Sequence, residues 1–304
     1  MEIRRNEDYS VAWVCALTEE LIAATCALDD EYGPAEYLTG DTNTYTLGCI
    51  GGHNVVICSL PKSVNGTIAA SSAVVNLLRT FPNIRFGLLV GIGGGVPSIR
   101  HDISLGDVVV SSPGNGFRGV LQHDHGKWLE DQGFKLTGSL NKPPILILSA
   151  VSTLEAGHWV KGNGIKRFIE SMVTKYPRLR QQYFPDEESS GAAGDPKERA
   201  ALPRPRPEPE IHYGLIASGS SLIKNRHIRD ELGEKFDVLC VEMEAAGVMD
   251  NLPCLVIRGI SDFADPFKND QWKGYAAAAA AGYAKELLYT VPKEGVKRLS
   301  TAGP

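Results

Sequence analysis

Short strand-like runs alternate with helix-like segments along nearly the whole chain, and this alternation limits its fold more than any other feature. Residues 11–17 are apolar and lead into Thr18, Glu19 and Glu20, which open a helical pattern reaching Leu28. Residues 44–50 and 55–60 are strand-like, with Gly51, Gly52 and His53 between them, a hairpin connection. Residues 66–78 have helical spacing and many small side chains, and residues 85–90 then run into the turn Gly91-Ile92-Gly93-Gly94-Gly95. Strands follow at 108–111, 211–217 and 254–260. Residues 143–175 read as two helices parted near Gly162 and Gly164, and residues 274–288 as a closing helix. The pattern predicts the α/β class: one three-layer α/β/α domain around a central mixed β-sheet.

That domain should occupy residues 9–291. One stretch breaks the rhythm: residues 185–210 are rich in Pro, Ala and charge, with few large apolar side chains. Such a segment has little to bury and is expected to be a flexible insertion. Residues 1–8 and 292–304 are expected to fray. With 43% hydrophobic and 22% charged residues the composition is that of an ordinary soluble globular chain. A net charge of −5 and no Lys/Arg cluster argue against a nucleic-acid partner. No run approaches the roughly 18 apolar residues of a membrane span, and no signal-peptide core follows the charged N-terminus. The six cysteines form no CxxC pair and read as free thiols of a reducing compartment, so a cytoplasmic location is expected.

Four places where a strand gives way carry polar groups, and in α/β sheets such strand ends are where ligands bind. They are Glu19-Glu20, the turn at Gly91, Ile92 and Gly93, the run Glu242-Met243-Glu244, and Ser261-Asp262. Each has an ordinary structural explanation: first-turn acids complement a helix dipole, glycines make tight turns, and an aspartate caps a helix. The glycine turn is not GxGxxG and no phosphate-binding lysine follows it, which disfavours a nucleotide P-loop.

Taken in order along the chain, the four resemble the nucleoside phosphorylase family that includes 5′-methylthioadenosine/S-adenosylhomocysteine nucleosidases and purine nucleoside phosphorylases. Residues 104–110 (SLGDVVV) and 216–220 (IASGS) support the likeness, which covers about residues 9–290. It is nearest to fungal nucleoside-phosphorylase-like domains, which often stand beside NACHT or ankyrin-repeat segments; neither is expected within these 304 residues. The resemblance implies cleavage of a purine N-glycosidic bond through an oxocarbenium-like state. It makes Asp262 the acid at purine N7, oriented by Ser261, and Glu244 the clamp on the ribose 2′- and 3′-hydroxyls. Met243 would pack on the sugar with Glu242 beside it. Ser220, Leu222 and Ile223 match the loop that holds the base, Leu222 standing where many relatives carry an aromatic.

The resemblance also frames the choice of nucleophile. Related phosphorylases hold phosphate with an early arginine, an arginine before the glycine turn and a hydroxyl within it. Here Leu89 and Val90 precede Gly91, Ile92 replaces the hydroxyl, and Glu20 matches the acid by which the nucleosidases activate water. Hydrolysis, releasing free base and ribose or ribose phosphate, is the preferred reading. A phosphorylase using inorganic phosphate and a non-catalytic nucleotide-sensing module are the alternatives. An adenine base suits the Asp262 pairing, so adenosine and ATP are candidate substrates. Arg118, His123 and Lys224 are candidates for a 5′-phosphate. Neither a metal nor an organic cofactor is expected, and a homo-oligomer is the default. His53, His158 and His212 read as structural histidines.

Overall fold

The computed structural model describes residues 4–114, 116–131, 133–184, 206–266 and 270–303. The chain begins with β1 (Val11–Cys15), α1 (Thr18–Ala27) and the two-residue strand β2 (Asp30–Glu31). The hairpin β3 (Tyr45–Ile50) and β4 (His53–Ser59) follows, its two-residue turn Gly51-Gly52 having φ of 57° and 80°. Only glycine adopts that pair of left-handed conformations cheaply, which is why the hairpin turns there. After α2 (Thr67–Thr80) come β5 (Phe86–Gly95), β6 (Val108–Ser111), β7 (Val120–Gln122) and the small hairpin β8 (Gly126–Leu129) and β9 (Gly133–Leu136). Helices α3 (Ile145–Lys161), α4 (Ile165–Lys175) and α5 (Arg180–Tyr183) precede β10 (Ile211–Ser218). The remainder runs α6 (Arg226–Phe236), β11 (Val238–Glu242), α7 (Ala245–Val248), β12 (Cys254–Asp262), α8 (Lys273–Thr290) and α9 (Lys293–Lys297).

The expected three layers are present. The strands order as β11-β10-β6-β12-β5-β1-β4-β3-β2, mixed in direction. One core packs α1, α3, α4 and α8 on one face; a second packs α2 and α7 on the other. The alanine run of α8 is buried over its whole length. It lies so close to β12 that a Cβ on Gly259 would collide with the carbonyl oxygen of Ala276. Small residues on both partners permit that approach. No helix among the described residues is long and apolar enough to cross a membrane.

One expectation needs correction. The glycines at 91–95 are no turn: β5 runs unbroken through them, pairing with β12 as far as Gly94. Its last residues also pair with β11 (Cys240 with Gly95, Val241 with Gly94), so β5, β12, β6, β10 and β11 close into a ring. The described C-terminal residues make contacts with the rest of the chain. Val296 is buried, Arg85 Nη1 donates to Leu299 O at 2.8 Å, and Ala302 N donates to Ile84 O at 2.7 Å. Near the N-terminus, Asn6 is buried and its Nδ2 donates to Glu36 O at 2.7 Å. Most of the expected insertion, residues 185–205, lies outside the described residues. At its end, Arg206 reaches back to the buried Asp107 at 3.3 Å.

Candidate active site

The ends of β5, β11 and β12 and the start of α1 surround a cleft of about 390 Å³. Glu20 enters it from the first turn of α1. Its Oε2 accepts the Ala16 and Leu17 N–H groups at 2.6 and 2.9 Å, and its Oε1 accepts the Ile92 N–H at 2.8 Å. The contact with Leu17 is a helix-start device, an acid reaching back to cap the N-terminus; the contact with Ile92 ties it to β5. Burial raises the Glu20 pKa, opposed by the Arg258 charge and those three N–H donors.

Glu242 and Glu244 leave the end of β11. Glu242 turns inward and caps α7, accepting from the N–H groups of Glu244 at 3.0 Å and Ala245 at 3.0 and 3.2 Å. Arg258, on β12 and 1% exposed, ion-pairs with Glu242 through Nη2, and the same nitrogen lies 3.4 Å from Glu244 Oε2. Burial alone would lower the Arg258 pKa, but Glu242, Glu244 and Glu20 raise it above the ordinary value. Glu244 Oε1 accepts the Gly66 N–H at 3.3 Å. Burial, with Glu242 and Glu20 nearby, pushes the Glu244 pKa up to about 7 against the pull of Arg258. At the end of β12, Ser261 Oγ donates to Asp262 Oδ2 at 2.9 Å while Asp262 Oδ1 accepts the Ala264 N–H at 3.0 Å. Three buried glutamates, Glu20, Glu242 and Glu244, therefore gather around one guanidinium, and the buried Asp262 lies further along the same strand.

The family model of the Phosphorylase superfamily matches residues 11–288. The chain belongs to that superfamily. It is 45% identical over 308 residues to a nucleotide-binding leucine-rich repeat (NLR)-like protein of Hyaloscypha variabilis, a match covering 96% of this chain and 30% of that protein. To the ATP nucleosidase Cap17 of Escherichia coli it is 43% identical over 224 residues, 71% of this chain and 38% of the other. It thus spans only 30% and 38% of these relatives' lengths. Among solved structures, 5′-methylthioadenosine/S-adenosylhomocysteine nucleosidase of Helicobacter pylori has the same fold, with a TM-score of 0.62, 18% identity, and coverage of 92% of this chain and 97% of that one.

Within this superfamily fold, most residues singled out from sequence meet at one place. Glu20, Ile92, Gly93, Leu222, Ile223, Lys224, Glu242, Met243, Glu244, Ser261 and Asp262 all line the cleft. Gly91 lies just beneath, under Glu20 and Arg258. Ser220 is beside the cleft, its Oγ 3.0 Å from Thr67 Oγ1 and its N–H on Asp124 Oδ2 at 2.7 Å. Arg118 and His123 do not line the cleft. Arg118 is exposed elsewhere, and the His123 ring packs against Gly219, where burial lowers its pKa.

Sequence reasoning gave no role to Arg258, Asn65 or Lys273; the last two line the cleft, and Arg258 sits behind its wall. The signal available for Arg258 was its position, a cation two residues from the end of an otherwise apolar strand. A charge buried there requires acids to meet it. The three structural histidines have partners: His53 with Val291 O, His158 with Glu286 and His212 with Asp107. Asp107, Glu210 and His212 have metal-ligand spacing, yet Arg206 already pairs with both acids.

Proposed function

We propose that the protein hydrolyses the N-glycosidic bond of purine nucleosides or nucleotides, adenine being the favoured base. The observation that carries this reading is the commitment of Arg258. Arg258 pairs with Glu242 and Glu244 from behind the cleft wall and does not line the cleft, so its buried guanidinium does not reach a phosphate ion there. The three glutamates around it disfavour that dianion. A neutral nucleophile suits the site better.

Water next to Glu20 would lose its proton to that carboxylate, whose raised pKa brings it nearer the working pH of a general base. Glu244 would accept the ribose 2′- and 3′-hydroxyls and stabilise positive charge developing at C1′. Asp262 would donate a proton to N7, so that the base leaves neutral, with Ser261 fixing its orientation at 2.9 Å. The bond that breaks joins C1′ to N9; the bond that forms joins C1′ to the water oxygen. The sugar leaves as ribose or ribose phosphate, and no cofactor enters the balance. The nucleosidase names borne by two relatives of this chain support the same reading. Lys224 at the cleft is its candidate for a 5′-phosphate. The experiment is incubation of the protein with adenosine, inosine and ATP, followed by chromatography. Free adenine is expected; intact substrates under all conditions would overturn the proposal in favour of a binding module.

A further inference from the structure

A second cavity, of about 590 Å³, shares no lining residue with the cleft. Its size falls within the roughly 300–1,000 Å³ of small-molecule sites. It opens between β7, residues 134–140 and the end of α6. Phe117, Phe134 and Phe236 supply aromatic wall, and Phe117 meets Phe236 edge to face at 5.9 Å. Val120, Leu121, Leu136 and Leu140 complete the apolar lining. Phe117, Leu136 and Phe236 pack on the same buried cluster as Leu121, yet they also face open space.

Polar lining is biased toward positive charge in a chain whose net charge is −5. Lys135, Lys235 and His125 are there, against a single acid, Asp250. Among the described residues neither lysine pairs with a carboxylate. The Lys235 ammonium instead lies 5.2 Å from the centre of the Phe236 ring. Flat aromatic walls with unpaired ammonium groups complement a planar ring bearing a negative charge.

We propose that this cavity is a binding site for an amphipathic aromatic anion, its ring system against Phe117, Phe134 and Phe236 and its carboxylate or sulfonate toward Lys235, with the positive charge of Lys135 at the rim. The site is independent of the cleft, so its test reads binding and not turnover. The full chain is titrated with the fluorescent probe anilinonaphthalene sulfonate and with its uncharged analogue phenylnaphthylamine. One saturable sulfonate site is expected. K135E/K235E should weaken the sulfonate by about tenfold or more, since two attractive charges become repulsive in a partly desolvated pocket, while the uncharged probe changes less than about twofold. Thr137→Trp, a plug at a half-buried wall position, should weaken both probes. K135Q/K235Q gives the same comparison, with a smaller factor, where the charge-reversed chain does not fold. Failure of the folded wild type to bind the sulfonate, equal binding by the lysine variants, or full binding by Thr137→Trp would each overturn the proposal.

Discussion

The Glu20 carboxylate and the Arg258 guanidinium converge over the bare Cα of Gly91. A Cβ placed there would lie 2.5 Å from Arg258 Nη1 and closer still to Glu20 Oε1. Both side chains are buried and held by other groups, so neither can swing aside cheaply. Gly91→Ala should therefore displace Glu20, lowering turnover by about two powers of ten. Overpacking of this kind costs about 1–3 kcal/mol of stability. Steady-state kinetics and urea denaturation of the one variant test both effects.

Removing the guanidinium itself should be costlier. In Arg258→Met, Glu242 and Glu244 lose their buried counter-charge, and breaking such a pair costs about 3–5 kcal/mol. Arg258→Lys should restore little, because a single ammonium cannot hold both the carboxylates and the Ile92 carbonyl that Nη1 approaches at 3.4 Å. Denaturant midpoints of the two variants at neutral pH give the comparison.

In the proposed mechanism Glu244 would tie the pH dependence to the sugar. With its pKa pushed from 4.5 up to about 7, the folded state holds this proton more tightly than the unfolded chain does. Its contribution to stability is therefore fully present below about 4.5 and is lost as pH rises through about 7. Activity should run the other way. As the proposed clamp on two hydroxyls Glu244 would work ionised, so kcat/KM should fall by up to about tenfold per unit as pH drops below 7. Glu244→Gln should flatten both the stability and the activity profile over this range. A wild-type kcat/KM that rises as pH drops from 7 to 5 would contradict the assigned role.

Most of the sheet could be read from the sequence because its strands are apolar runs bounded by polar or glycine-containing breaks. The glycine segment at 91–95 was misread for a physical reason. Glycine usually marks a turn, but here its lack of a side chain lets β5 pass beneath Glu20, Arg258 and Cys240 without a bend. The acids of the cleft were legible as residues at strand ends; their mutual arrangement was not. Glu242 and Arg258 lie 16 positions apart and meet only because β11 and β12 both border β5. Arg118 and His123 looked equivalent to Lys224 as cations in loops, and only the folded chain separates them. The second cavity had no signal at all, since its walls come from four separate regions of the chain, 117–125, 134–140, 235–236 and Asp250.

Asp262→Asn keeps the shape and the Ala264 contact but would remove the proposed proton donation to the base. Turnover should fall by roughly two to four powers of ten with binding of a free purine little changed. Ser261→Ala, which removes the 2.9 Å orienting bond and the longer contact with Gly93 O at 3.5 Å, should cost about tenfold. Equal rates for Asp262→Asn and wild type, in variants shown to be folded, would remove Asp262 from the mechanism.

The central claim is that water, activated by Glu20, attacks C1′. The most direct measurement is adenosine cleavage in phosphate-free buffer made with heavy-oxygen water, with mass analysis of the released sugar and a parallel reaction of Glu20→Gln. The account predicts adenine together with ribose carrying one heavy oxygen at C1′. It also predicts a rate for Glu20→Gln lower by about two powers of ten or more. A strict requirement for inorganic phosphate, with ribose-1-phosphate as the product, would contradict it.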